Sequence, residues 1–175
     1  AFFALRDLIG TKALNGALRA YLDAGRFAGP PYATTYDLLK ELKKATPDSM
    51  QYAIHDLFET ITLWDLRTDS ATTTRLPDGT WKVRLAVSSS KLRADSLGNE
   101  KKIPLADYVD VGVFGEKSPG NRIGKPLEVR KVKITTDNGV FEFIVKEKPL
   151  RAGIDPFNKL IDRNPGDNSK DVTSN

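Results

Sequence analysis

Two hydrophobic periods divide this chain. Over the first third, apolar residues return every three or four positions, which is the spacing of a helix face. Phe2, Phe3, Leu5, Leu8 and Ile9 fit one such face, and Gly10 is placed to end the helix. Thr11 then caps a second helix with Leu14, Ala17, Leu18, Tyr21 and Leu22 on one side. Gly29-Pro30-Pro31 breaks the chain. Thr34 followed by Asp37 has the spacing of a capping box and opens a helix through Leu38, Leu39 and Leu42. Thr46-Pro47 reads as a cap with proline at the first helical position. The helix after it carries the clearest stripe: Met50, Ala53, Ile54, Leu57, Phe58 and Ile61.

From about residue 63 the period becomes two. Trp81, Val83, Leu85 and Val87 alternate with Lys82, Arg84, Ala86 and Ser88; Val109, Val111 and Val113 alternate too, as do Phe141, Phe143 and Val145. Turn signals separate the runs at Pro77-Asp78-Gly79, Gly98-Asn99, Ser118-Pro119-Gly120-Asn121 and Asp137-Asn138-Gly139. In the run from Leu127 to Ile134 the apolar phase slips at Arg130-Lys131, and a bulge there would restore it. The pattern predicts about seven strands at sandwich-like spacing. The expected fold class is α+β: a short helical segment over 1–62, then an immunoglobulin-like or fibronectin-like antiparallel β-sandwich over 63–153. Residues 154–175 are rich in Gly, Asp, Asn and Pro and read as an extended tail that docks briefly and then frays. Four short helices make a small core, and the first begins uncapped at residue 2, so 1–62 reads as the end of a larger helical domain.

Composition narrows the chemistry. The chain has 175 residues, one His and no Cys. Zinc sites built on two His, four Cys or a Cys/His mixture are therefore excluded, as are disulfides, a Cys nucleophile and Cys-ligated clusters. Without an inter-sheet disulfide, packing alone is expected to hold the sandwich. Apolar and charged fractions of 39% and 29% are those of a globular domain. No apolar run reaches the ~18 residues of a membrane span, so this segment is not expected to insert directly. The start of the chain lacks the basic region of a signal peptide.

The formal charge of +4 arises between residues 63 and 150, which hold 16 basic and 12 acidic side chains. These are interleaved rather than gathered on one face, so no nucleic-acid partner is expected.

Several constellations can be weighed on their residues. His55 and Glu59, four apart on a helix, share a face, but no second His is present; they read as a paired surface histidine. Asp162-Arg163-Asn164-Pro165-Gly166-Asp167 has the flavour of a calcium loop. Counted from Asp162, however, Asp167 stands where an EF-hand needs Gly and Thr173 where it needs Glu, so it reads as a turn. Ser88-Ser89-Ser90 has no adjacent base and no nucleophile elbow. Trp64, Trp81, Tyr108 and Phe114 could form an aromatic platform, but Trp81 is in phase with Val83 and Leu85, and Trp64 stands where helices give way to strands. Gly112-Val113-Phe114-Gly115 lacks the lysine of a phosphate loop. Asp107 and Asp110 could form an acid–base pair, though nothing in their spacing singles them out.

Three strings carry a resemblance. The first is Ala4-Leu5-Arg6-Asp7-Leu8-Ile9-Gly10 with Leu14-Asn15 and Ala17-Leu18-Arg19. The second is Phe27-Ala28-Gly29-Pro30-Pro31-Tyr32 with the stretch Asp56 to Leu63. The third is Gly153-Ile154-Asp155-Pro156 followed by Leu160-Ile161-Asp162-Arg163-Asn164-Pro165. In this order they resemble the C-terminal end of bacterial proteins of the zinc aminopeptidase N (gluzincin) family, above all members fused behind a membrane permease-like region. The resemblance implies a thermolysin-like parent whose zinc is held by H-E-x-x-H and a downstream Glu. It also implies a transition-state Tyr and a G-x-M-E-N-type motif that grips the substrate N-terminus. None of these motifs occurs in this sequence. No catalytic, cofactor-binding or metal-binding residue can therefore be assigned here, and zinc is expected only in a missing upstream domain. What is implied for this chain is a non-catalytic scaffold, partnered by the upstream peptidase domain of the same polypeptide, in a membrane-associated parent. The alternative is a freestanding sandwich binding protein or glycan through Lys117, Arg122 and Lys125.

Overall fold

The structure is a computed structural model, and it describes residues 1–174. The fold class is α+β, with a helical segment followed by two mostly antiparallel sheets in a sandwich-like arrangement. Two compact units divide the chain: Ala1–Thr62 with Ala94–Gly98, and Leu63–Arg93 with Asn99–Asn175. Among the described residues, no helix is long and apolar enough to cross a membrane.

In the first unit, α1 (Phe2–Ile9) and α2 (Thr11–Gly25) meet at Gly10, whose φ of 88° suits glycine. Gly10 rather than Thr11 is the N-cap of α2, so Thr11 is the first helical residue. α3 (Thr35–Ala45) opens on the expected box: the Thr34 N–H donates to Asp37 Oδ2 at 2.8 Å, and the Thr34 side chain faces the backbone of Asp37. The Thr34 N–H, and the Thr34 hydroxyl that also donates to Asp37 Oδ2 at 2.8 Å, hold the Asp37 carboxyl below its ordinary value.

Thr46 does not cap the following helix. Its hydroxyl donates back to the Leu42 carbonyl at 2.8 Å and closes α3. Gln51 Nε2 donates to the carbonyls of Lys43 and Thr46 at 2.8 and 2.7 Å, satisfying the last turn from outside. The clear stripe after Pro47 is broken into a 3₁₀ turn (Asp48–Met50), α4 (Gln51–Ile54) and a π turn (His55–Glu59). Ala53, Ile54 and Leu57 are buried, whereas Ile61 already lies on a strand and is exposed.

The second unit holds two sheets. β1 (Ile61–Arg75), β2 (Trp81–Ala94), β3 (Glu100–Lys102), β6 (Asn138–Val145) and β9 (Thr173–Ser174) form one; its order is β3-β2-β1-β9, with β6 also on β2. β4 (Asp107–Phe114), β5 (Pro126–Ile134), β7 (Arg151–Ile154) and β8 (Ser169–Asp171) form the other, in the order β5-β4-β7-β8. Val83, Leu85 and Val87 on β2 and Val109, Val111 and Val113 on β4 are buried, as one-sided alternation predicts. On β1, burial falls on Trp64, Leu66 and Thr68 and then slips by one to Ala71 and Thr73.

Two sequence expectations are corrected here. No bulge occurs at Arg130-Lys131, where the β4–β5 register runs unbroken through Val111↔Arg130 and Asp110↔Lys131. The irregularity lies instead between Val113 and Phe114, which face Glu128 and Pro126. Arg130 accounts for the phase slip. Its guanidinium sits 4.6 Å from the Phe143 ring and donates to the Glu142 carbonyl at 3.1 Å, so a charged residue closes the open edge of the core.

The second correction concerns the tail. Through Ser174 it does not fray as expected. β8 pairs antiparallel with β7, and β9 pairs parallel with β1, so the same segment joins both sheets.

Candidate functional site

A cluster of charged side chains built on the buried carboxylates Asp110 and Asp155 lies at the outer face of β4. Odd positions of that strand face the core, so Tyr108, Asp110, Gly112 and Phe114 face the other way. Three of these four are nonetheless buried: the segment 155–160 reaches Asp110 and Phe114, and the Phe114 and Val129 side chains close over Gly112. The Phe157 ring meets Phe114 edge-on, with centroids 5.9 Å apart.

Asp110 anchors the cover. Lys131 reaches its Oδ1 at 2.9 Å from the neighbouring strand, where it stands directly opposite. Lys159 bonds to Oδ2. On the other flank, the Asp155 N–H donates to the Asp110 carbonyl at 2.7 Å, so β7 hands the chain over at that point. Asp155 adopts a left-handed φ of 38° and is buried. Its two oxygens accept the Lys159 and Leu160 N–H groups at 3.0 and 2.9 Å. Burial pushes its carboxyl up to about 6; the two backbone bonds pull it down, and the nearby Asp110 adds to the rise.

A carboxyl titrating near neutrality has the right pKa for proton transfer. Here both of its oxygens are spent on backbone donors and the group is sealed from solvent, so it clasps the covering segment instead.

The residues weighed from sequence fall as follows. Asp107 and Asp110 point to opposite faces of β4 and do not form a pair; Asp107 faces the core and holds Lys91 at 3.0 Å. His55 Nδ1 lies 3.3 Å from Glu59 Oε2, and Glu59 also takes Lys43, whose bond holds that carboxyl low. Asp162 accepts the N–H groups of Leu66 and Asn164 at 2.9 and 2.8 Å, so its carboxylate serves the backbone of β1 and of its own turn. Burial raises its pKa.

Ser88 donates to Asp69 Oδ2 at 2.5 Å, while Ser89 is buried on the core face of β2. Trp64 and Phe114 are buried and Trp81 and Tyr108 half-buried, so the four aromatics offer no open platform. In the loop from Lys117 to Lys125, Asn121 ties the turn through Gly124 and Lys125 pairs with Glu147 at 2.6 Å; Lys117, Arg122 and Lys125 are all exposed. Gly112 to Gly115 is buried strand and strand end.

Sequence reasoning missed Asp155, Lys131 and Lys159. The available signal was the Asp155-Pro156 break directly after a strand, together with Asp110 and Gly112, an acidic and a small residue, at the outward-alternating positions of β4. No protein-family model matches the chain, and no curated protein matches it.

Proposed function

We propose that this chain is the non-catalytic C-terminal part of a zinc metallo-aminopeptidase-like protein and scaffolds an upstream peptidase domain of the same polypeptide. The ordered strings from Ala4 to Pro165 suggest the family. The observation that carries the scaffold reading is the state of α1. Six of its eight residues are apolar, yet only Ala4 and Leu5 are buried, and Phe2 and Phe3 stand 42% and 47% exposed. A helix this short and this apolar gains its stability from packing rather than from propensity, and its open side fits a preceding helical layer.

The charged clusters support the same reading from the other direction. Asp110, Asp155 and Asp162 are engaged with lysines or backbone N–H groups, which is work for a scaffold. In the parent, zinc would activate water for attack on a peptide carbonyl. The residues of this chain would place and brace the domain that does so.

The test is to express the chain with and without its upstream coding sequence. The extended protein is expected to bind zinc and cleave an N-terminal residue from a peptide, and Phe2 and Phe3 are expected to lose solvent exposure in it. Stoichiometric zinc and peptide hydrolysis by the present chain alone would overturn the reading.

A further inference from the structure

The helical unit carries a second surface that the scaffold reading does not use. α2 buries Leu14 and Ala17 on one side, but Leu22 stands 63% exposed on another. Around it runs a groove of about 660 Å³ lined by Leu18, Tyr21, Leu22, Gly25, Arg26 and Ala33. Gly25 lets the returning loop close one wall, since a Cβ there would stand 3.2 Å from that of Ala33.

Directly beside the groove stands Phe27, 94% exposed and held at a left-handed φ of 60°. Arg26 joins the two features: it lines the groove, and its guanidinium lies 5.3 Å from the Phe27 ring. An aromatic side chain held in water on strained backbone is a knob without a hole. The hole lies one residue away, on the same corner of the same molecule.

A knob and a hole side by side on one surface meet the condition for a two-fold contact, in which each copy gives what the other receives. We infer that this corner is an interface between two copies of the chain, Phe27 of each entering the groove of the other at its Asn15–Leu18 end while the two Leu22 side chains meet near the axis. The rim charges suit the same symmetry. Arg19 and Asp23 lie four apart on α2, 3.8 Å from each other and both exposed. Two copies of α2 set antiparallel place Arg19 of one copy against Asp23 of the other, twice. Any partner that filled the groove without offering a pocket of its own would leave Phe27 in water.

Sedimentation equilibrium on the full chain, from low micromolar to millimolar concentration, reads the inference. The mass is expected to rise from 19.3 kDa towards twice that value. Phe27→Asp and Leu22→Arg are each expected to hold it at one chain, with circular dichroism and melting temperature unchanged, because both side chains are exposed. Arg19→Asp is expected to weaken the dimer about tenfold or more, and Arg19→Asp with Asp23→Arg to restore it, since the reversed pair is again complementary. A chain that stays monomeric throughout, or a dimer that Phe27→Asp leaves intact, overturns the inference. Neither outcome bears on the upstream zinc domain, whose own test is activity and metal content.

Discussion

Lys91 Nζ lies 3.0 Å from Asp107 Oδ1, and both side chains are buried. Lys91 belongs to β2 and Asp107 to β4, so the bond crosses the core from one sheet to the other. Packing alone was expected to hold a sandwich without cysteine; an ion pair stands across it as well. The Lys91 ammonium also lies 5.3 Å from the Trp64 ring.

Breaking this pair from one side leaves a charge stranded in the core. Asp107→Ala is expected to cost ~3–5 kcal/mol, read as a lower urea midpoint. Replacing both members with apolar residues of similar volume, as in Lys91→Met with Asp107→Leu, is expected to recover most of that loss. A single variant as stable as the parent chain would show that the pair is solvated.

Asp155 sets a pH dependence of unusual sign. Its carboxyl titrates near 6 in the folded chain and at 3.8 when unfolded, so between those values the folded state holds the extra proton. The contribution of Asp155 to stability is therefore greatest below the unfolded value, falls as pH rises through the window from about 4 to about 6, and is flat above it. The displacement corresponds to at most about 3 kcal/mol. Asp155→Asn is expected to remove this slope while leaving the opposite slope from the low-pKa carboxyls Asp37, Glu59, Asp69 and Asp78. Urea midpoints of both proteins at pH 4.5, 5.5 and 7, compared as differences, test the sign (roughly the window that the linkage sets).

What could be read from the sequence followed from one-sided burial. Val83, Leu85 and Val87 face the core and their neighbours face outward, so alternation found them. The second face of β4 gave no such signal, because it carries Asp110 and Gly112 and part of its cover comes from residues 155–160, some 45 positions on by sequence. Arg130 misled in the opposite way. A charge at a core-facing edge position looks like a break in phase, and the chain instead runs straight and lays the guanidinium over Phe143. The tail looked unstructured because Asp162, Asn164, Pro165 and Gly166 are turn residues. Its anchors are bonds to distant backbone, such as Thr68 Oγ1 donating to the Asn168 carbonyl at 2.7 Å, and no local pattern encodes those.

Gly153 marks a close approach between β7 and the chain entering β8. A Cβ there would lie 2.4 Å from the Asn168 carbonyl oxygen and 2.8 Å from Ser169 Cα, both backbone atoms that cannot step aside. Gly153→Ala is expected to push β8 off β7 at a cost of ~1–3 kcal/mol. Amide exchange at Ser169, which stands opposite Gly153, should rise well before exchange at Val111 on β4. Equal protection in both proteins would mean that the strands can shift together.

Asp162 is the first fastening of the tail to β1. The Trp64 N–H donates to the Ile161 carbonyl at 3.0 Å and the Arg163 N–H to the Trp64 carbonyl at 3.2 Å, which starts a parallel ladder. The next donor of β1, Leu66 N–H, is met by the Asp162 carboxylate at 2.9 Å rather than by a backbone carbonyl. The chain can then turn through Asn164 and Gly166 before Asp167 offers its carbonyl to the Thr68 N–H at 3.0 Å. Asp162→Ala leaves the Leu66 donor without its partner, at ~1–3 kcal/mol, and removes the acceptor that orders the turn. Amide exchange at Leu66, Arg163 and Asp167 is expected to speed up together, with protease cleavage appearing between Arg163 and Asp167. Asp162→Asn, which keeps one accepting oxygen and turns its NH2 towards the other N–H, is expected to restore the bond to Leu66 or the bond to Asn164 but not both, and so only part of the protection. If exchange quickens at Leu66 alone, the tail is held by its strand pairing with β7 and β1, and Asp162 only satisfies one donor.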